Sequence, residues 1–192
     1  MKNDAPALLP VFRSQLQAEM LTAILLHPNV EYSLTDLATQ ARASVPYIYH
    51  EVNRLVESGL LLDRTKGRAR LVKANPHHRA IGPLTKLVEV TFGPKVLVTE
   101  AFARLGVNKV MIFGTWAARY LGVVGVEPRD LDVLVVGKAA RIPMNEAADR
   151  VRTRLKIPVN PVLRSLQQWE SGEDELVARI KASWYVTLLE RD

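Results

Sequence analysis

Apolar positions recur with two different periods along this chain, and each change of period marks an element. From Phe12 to about His27, Leu16, Met20, Ile24 and Leu25 return at near-helical spacing, predicting a helix that stops at His27-Pro28-Asn29. Ser33 then precedes a turn holding Asp36, a helix-start signature, and Leu34, Leu37 and Ala38 give a short second helix its apolar face. Arg42-Ala43-Ser44 predicts a tight connection into a third helix. There Pro46 suits the first turn, Ile48, Val52, Leu55 and Val56 make one core-facing stripe, and Gly59 ends the helix. The period then drops to two. Leu60 to Thr65 and Arg68 to Lys73 read as strands around Lys66-Gly67, a hairpin. Ile81, Leu84, Leu87, Val88 and Val90 predict a connecting helix ending at Phe92-Gly93-Pro94, with His77 and His78 serving as linker or helix cap before it.

The second half repeats the alternation on a different plan. A helix is expected from Lys95 to Leu105, with Val96, Val98 and Phe102 apolar. A short strand follows from Lys109 to Phe113 and breaks at Gly114-Thr115, where another helix starts. After a Gly/Pro loop from Gly122 to Arg129, Asp130-Leu131-Asp132 opens an apolar strand through Val133 to Val136. A later strand-like run, KIPVNPVLRS, carries Asn160. In the tail, Leu166, Trp169, Leu176, Val177 and Ile180 suggest packing helices, and WYVTLL a last buried strand.

Composition narrows the function classes. With 192 residues, 48% of them hydrophobic, the chain has room for one or two small globular domains. There is no cysteine, which removes disulfides, thiolate metal sites and thiol catalysis. No apolar run reaches the roughly 18 residues of a membrane span, and the N-terminus has no secretion pattern, so a cytoplasmic protein without membrane contact is expected. The formal net charge of +6 and pI of about 9.7 favour a polyanionic partner. The excess is local: Arg54, Arg64, Lys66, Arg68, Arg70 and Lys73 are opposed in their stretch only by Glu57 and Asp63.

Three helices followed by a hairpin with a basic tip is the winged-helix order. The stretch from Phe12 to Asn75, especially VNRLVESGLL and GRARLV, resembles the MarR/ArsR-like winged-helix regulators. The resemblance implies binding to double-stranded DNA. Ser44, Tyr47, Tyr49, His50, Asn53 and Arg54 would face the major groove from the third helix. Arg64, Lys66, Arg68 and Arg70 would meet the backbone or minor groove from the wing. The connecting helix would pair with its twin in a homodimer.

The other constellation is FGTWAAR followed by RDLDVLVVG. Two carboxylates two residues apart at a strand start project from one face. Mg²⁺ takes one or two carboxylates and completes its shell with water and phosphate oxygens. Gly114 admits a phosphate close to the backbone, and a helix beginning at Thr115 aims its N–H groups at anions. The stretch from Thr99 to Leu163 resembles the minimal nucleotidyltransferases of the polymerase-β-like superfamily. That resemblance implies Asp130 and Asp132 as catalytic and metal-binding residues, Gly114, Thr115 and Arg119 as nucleotide-binding residues, and Mg²⁺ with a nucleoside triphosphate as cofactors. Trp116 is expected in the core. Active members carry a third acidic residue on a later strand, and here Asn160 stands at the matching point. Either Glu127 or a partner's carboxylate supplies the missing group, or chemistry is slow or absent.

The fold expected is therefore α+β: a winged helix-turn-helix at 1–75, a linker helix at 76–95 and a small nucleotidyltransferase-fold α/β domain with a short mixed sheet at 96–192. Three functions follow. One is a DNA-binding transcriptional regulator whose second domain holds nucleotide and Mg²⁺ or a partner. Another is an active enzyme, antitoxin-like, moving a nucleotidyl group onto a protein or RNA hydroxyl, with a toxin-like protein as partner. The third is an interaction module that has lost both ligands.

Overall fold

A computed structural model describes residues 12–123 and 128–191, and its residue contacts divide the chain into two compact units, 1–93 and 94–192. The first unit runs α1 (Gln15–Leu26), β1 (Tyr32–Ser33), α2 (Leu34–Gln40), α3 (Val45–Glu57), β2 (Leu61–Lys66), β3 (Ala69–Ala74) and α4 (Ile81–Phe92). Each of the first three helices starts on a serine side chain. Ser14 accepts the N–H of Gln17, Ser33 that of Asp36 and Ser44 that of Tyr47. Asp36 returns the bond to the Ser33 backbone, so α2 opens on a reciprocal capping box, each such cap contributing about 1 kcal/mol. Ile24, Leu37, Ile48 and Val52 are fully buried and join α1, α2 and α3 into one core.

The strands form a three-stranded antiparallel sheet in the order β1-β3-β2. The two-residue β1 has too little sequence to show a period. The hairpin registers one residue later than the alternation suggested: Lys66 pairs with Ala69, and Gly67, at φ 61°, turns the chain together with Arg68. The expected connecting helix exists as α4, and it packs along α1 inside the first unit, with Val88 buried and Val90 exposed.

The second unit runs α5 (Pro94–Phe102), a 3₁₀ turn at Ala103–Leu105, β4 (Lys109–Phe113), α6 (Thr115–Tyr120), β5 (Leu131–Val136), α7 (Arg141–Leu155), β6 (Val159–Arg164), α8 (Leu166–Ser171), α9 (Glu175–Lys181) and β7 (Tyr185–Glu190). Its sheet has the order β6-β5-β4-β7, with β4 antiparallel to both neighbours and β5 parallel to β6. A parallel pair needs a crossover, and α7 supplies it. One face of the sheet presents Met111, Leu134 and Val136 to Trp169, Val177 and Ile180 from α8 and α9. Trp169 meets Tyr185 edge-on at 5.8 Å. Asp174 caps α9 and pairs with Arg164 at 2.8 Å, and these bonds, the backbone N–H of Val177 first, hold its carboxyl below the usual carboxylate range. The last strand corrects an expectation. WYVTLL is an edge strand rather than a buried one, with Trp184 47% exposed, because β7 pairs on one side only with β4. Trp116, 1% exposed, belongs to the core as expected.

Candidate functional site

In the first unit the outward side of α3 carries Ser44, Tyr47, Tyr49, His50 and Arg54 exposed and Asn53 half-exposed, while Ile48, Val52 and Leu55 hold the opposite side in the core. Val56 is only half-buried, and Glu51 is the buried group at the edge of the stripe. Glu51 accepts a hydrogen bond from Gln17 at 2.6 Å and lies 3.6 Å from the Arg54 guanidinium. Ser44 spends its hydroxyl on the helix cap. The Tyr47 hydroxyl is 3.1 Å from Ser14 Oγ, which ties the first turn of α3 to the start of α1. His50 meets Tyr49 edge-on at 5.9 Å.

The wing's cations divide into two kinds. Arg64 is held by Glu31 through two parallel bonds of 2.7 and 2.5 Å, and this guanidinium keeps the Glu31 carboxyl below its ordinary range. Arg70 pairs with Asp63 at 2.7 Å. Lys66 and Arg68 stand exposed at the hairpin turn with no ion-pair partner among the described residues. Asp63 was visible as an opposing charge, but which cations it and Glu31 would hold depends on β1 joining β3 and on the hairpin register.

Sequence reasoning also passed over Arg42 as a contact residue. It lies between α2 and α3, exposed, at φ 51°, a left-handed conformation that L-residues reach at a cost of about 1–2 kcal/mol. The conformation closes α2: Arg42 follows its C-cap Ala41, the Arg42 N–H bonds to the Thr39 carbonyl and the Ala43 N–H to the Ala38 carbonyl, a left-handed helix ending that glycine usually fills.

In the second unit the sheet topology gathers three chain segments. Because β4 runs antiparallel to β5, its last residue, Phe113, pairs with Asp132 near the start of β5. Because β6 runs parallel to β5, Asn160 near its start also pairs with Asp132. Asn160 Nδ2 donates to Asp130 Oδ2 and to Asp132 Oδ1, both at 3.0 Å. Gly114 follows β4 at φ 71° and ψ −144°, and a Cβ there would lie 3.0 Å from Asp132 Oδ2. Burial raises the Asp132 carboxyl above its ordinary pKa, the Asn160 bond opposes this, and the charge on Asp130 adds to the rise.

Thr115 is exposed at the head of α6, and Arg119 extends along the Trp116 ring, 5.1 Å from its centroid. Glu127 lies outside the described residues. Among the described residues no group of three or more His, Asp or Glu side chains is arranged to hold a metal ion, so the oxygen donors of this corner are two carboxylates and one amide. No helix among the described residues is long and apolar enough to cross a membrane.

No protein-family model matches the chain, and no curated protein does. Solved structures of transcription regulators match about half of it. The regulator BldR from Sulfolobus solfataricus is 19% identical over 48% of this chain and 63% of its own, with a TM-score of 0.37. MepR, a regulator of a Staphylococcus aureus multidrug efflux pump, is 14% identical over 48% of this chain and 69% of its own, at 0.36. The zinc-responsive MarR family member ZitR of Lactococcus lactis is 11% identical over 58% of this chain and 70% of its own, at 0.38. The chain thus spans less than two thirds of the length of BldR.

Proposed function

We propose that this chain is a DNA-binding transcriptional regulator that places α3 in the major groove and its hairpin on the flanking backbone. The observation that carries the reading is the outward side of α3. Tyr49, His50 and Arg54 are exposed there, the opposite side is locked in the core, and Lys66 and Arg68, without an ion-pair partner among the described residues, stand on the adjacent hairpin turn. Such a surface offers donors and acceptors to base edges and positive charge to phosphates. One reading helix of this size buries little area, so the reading takes the protein as a homodimer on a two-fold operator, gaining avidity from two half-sites. The test is to select duplexes from a randomised library with the full chain and measure their binding by fluorescence anisotropy. At physiological salt a selected duplex should bind at least about 10³-fold tighter than unrelated sequence. Equal affinity for all duplexes, or none, removes the reading.

A second reading concerns the other unit and rests on the meeting of Asp130, Asp132 and Asn160. The donor set suits Mg²⁺: two carboxylates and an amide whose oxygen would face the ion after a flip, with Gly114 leaving the Asp132 carboxylate the space that a Cβ would contest. Asp130 and Asp132 would hold the ion, and Gly114 and Thr115 would meet the phosphates through their backbone. The ion's chemical contribution is to neutralise phosphate charge. Asn160 holds both carboxylates in place, but an amide cannot take a proton from an attacking hydroxyl, so the unit binds a nucleoside triphosphate without transferring it. Titration of ATP, GTP, CTP and UTP with Mg²⁺ tests this against an Asp130→Ala/Asp132→Ala variant. Equal binding by both proteins removes the metal site.

A further inference from the structure

We propose that Arg70 is a positioning residue that fixes Asn53 as a hydrogen-bond donor, so that the base facing Asn53 is recognised by its acceptors, with guanine the best fit. This deepens, and rests on, the reading of α3 as the DNA-reading helix. Arg70 leaves β3 and meets three groups at once. Its Nε donates to Asp63 Oδ2 at 2.7 Å, its Nη1 donates to Asn53 Oδ1 at 2.5 Å, and its guanidinium carbon lies 5.6 Å from the centroid of the Tyr49 ring. Asp63 belongs to β2, while Tyr49 and Asn53 are one turn apart on the same side of α3. One side chain therefore couples the wing to the helix.

The direction of the Asn53 amide follows from chemistry. A guanidinium has donors and no acceptor, so the amide atom facing Arg70 is the oxygen. The bond is charge-assisted, which fixes that orientation more firmly than a neutral partner would. The amide nitrogen, with two N–H groups, is left to face away from Arg70. An asparagine that reads adenine bidentately needs its oxygen for N6–H and its nitrogen for N7. The oxygen keeps a second lone pair but is turned toward Arg70, so the group left facing away is the NH₂; two adjacent acceptors match its two donors, and guanine presents N7 and O6 in the major groove. Arg70 itself is 24% exposed and already committed to Asp63 and Asn53, so the phosphate-facing cations are Lys66 and Arg68 at the turn.

The test starts from a duplex that the wild-type chain selects from a randomised library. Each base pair is then changed singly, and binding is measured by anisotropy over a range of salt for wild type, Arg70→Met, Asn53→Ala and Asp63→Asn. One position should show a preference for G·C of roughly tenfold in the wild type. Arg70→Met and Asn53→Ala should lose it at that same position while other positions and the salt slope are kept. Asp63→Asn leaves the cation but loosens its anchor, and should weaken the same preference, which keeps the test open if Arg70→Met does not fold. Uniform weakening across sequences, with the slope reduced by about one, would make Arg70 an ordinary phosphate contact and overturn the proposal with DNA reading intact. An adenine preference at the Asn53 position would overturn it too. A wild-type chain that selects no sequence would remove the underlying reading together with the proposal.

Discussion

Salt dependence of duplex binding should sort the wing's cations by whether the fold has already neutralised them. Each phosphate contacted by a Lys or Arg steepens the fall of log K against log salt by about 0.9. Lys66 and Arg68 have no ion-pair partner among the described residues, so Lys66→Ala/Arg68→Ala should reduce the slope by about 1.8. Between about 50 and 200 mM salt that difference makes the variant's loss of affinity about twelvefold smaller than the wild type's. Arg64 should behave in the opposite sense. Glu31 engages both arms of its fork, so the pair is close to neutral and has few counterions to release. Glu31→Gln uncovers that guanidinium, and the slope should steepen by up to about 0.9 although no cation has been added. The assay is fluorescence anisotropy of a labelled duplex with the full chain across a salt series. If Lys66→Ala/Arg68→Ala keeps the wild-type slope, or Glu31→Gln leaves it unmoved, the assignment of these charges is wrong.

Four further outcomes are expected. Arg42→Gly relieves a left-handed arginine at φ 51° where α2 ends and should raise stability by about 0.5–1 kcal/mol in urea denaturation while weakening duplex binding, and a variant that binds equally well would confine Arg42 to closing the helix. Asp132 has a raised pKa in the folded state, so its proton favours folding. The stability is fully present below the unfolded value of about 3.8 and is lost as pH rises through the folded value. Asp132→Asn should therefore melt higher than wild type at pH 7, with the gap closing on acidification; a lower melting temperature at pH 7 contradicts this. Gly114→Ala must place a Cβ 3.0 Å from the Asp132 carboxylate at a backbone conformation that costs about 1–3 kcal/mol, so it should both destabilise the chain and abolish Mg²⁺-dependent nucleotide binding in calorimetry. Asn160→Asp puts a third negative charge beside two others and removes their shared donor, so it should melt lower than wild type and recover with Mg²⁺; indifference to Mg²⁺ counts against the metal site.

Legibility followed the physics of each signal. The helices α1, α2 and α3 could be placed from sequence because serine caps and a one-sided apolar stripe are local properties. The strand β4 and the start of β5 were readable because two runs of four apolar residues, Val110 to Phe113 and Val133 to Val136, are bounded abruptly by Gly114 and by Asp132. The helix α7 was not read at all. Its buried side is Met144, Ala147, Ala148, Val151 and Leu155, two of them alanines, and the rest of the helix is rich in charge, so the stripe is correct in period but faint in amplitude. The hairpin was expected and its register was not, since a shift of one residue leaves the same composition around Gly67. Among candidate site residues, type and position were readable, and availability was not. Ser44, Arg64 and Arg70 are the right chemistry for DNA, yet each has an intramolecular partner that only the folded chain supplies.

Asn160 has the same lesson in reverse. From sequence it reads as a loss, an amide where a transferase needs a carboxylate. In the fold it is a gain for the corner itself. Two carboxylates brought together at a half-buried strand start repel each other, and burial already disfavours the charge on Asp132. One amide group donating to both, at 3.0 Å each, offsets that repulsion with no ion present. A third carboxylate would make the corner depend on a cation to stay ordered. An amide at this position lets the corner stay ordered without a cation, and it does so at the expense of the proton acceptor that nucleotidyl transfer would need.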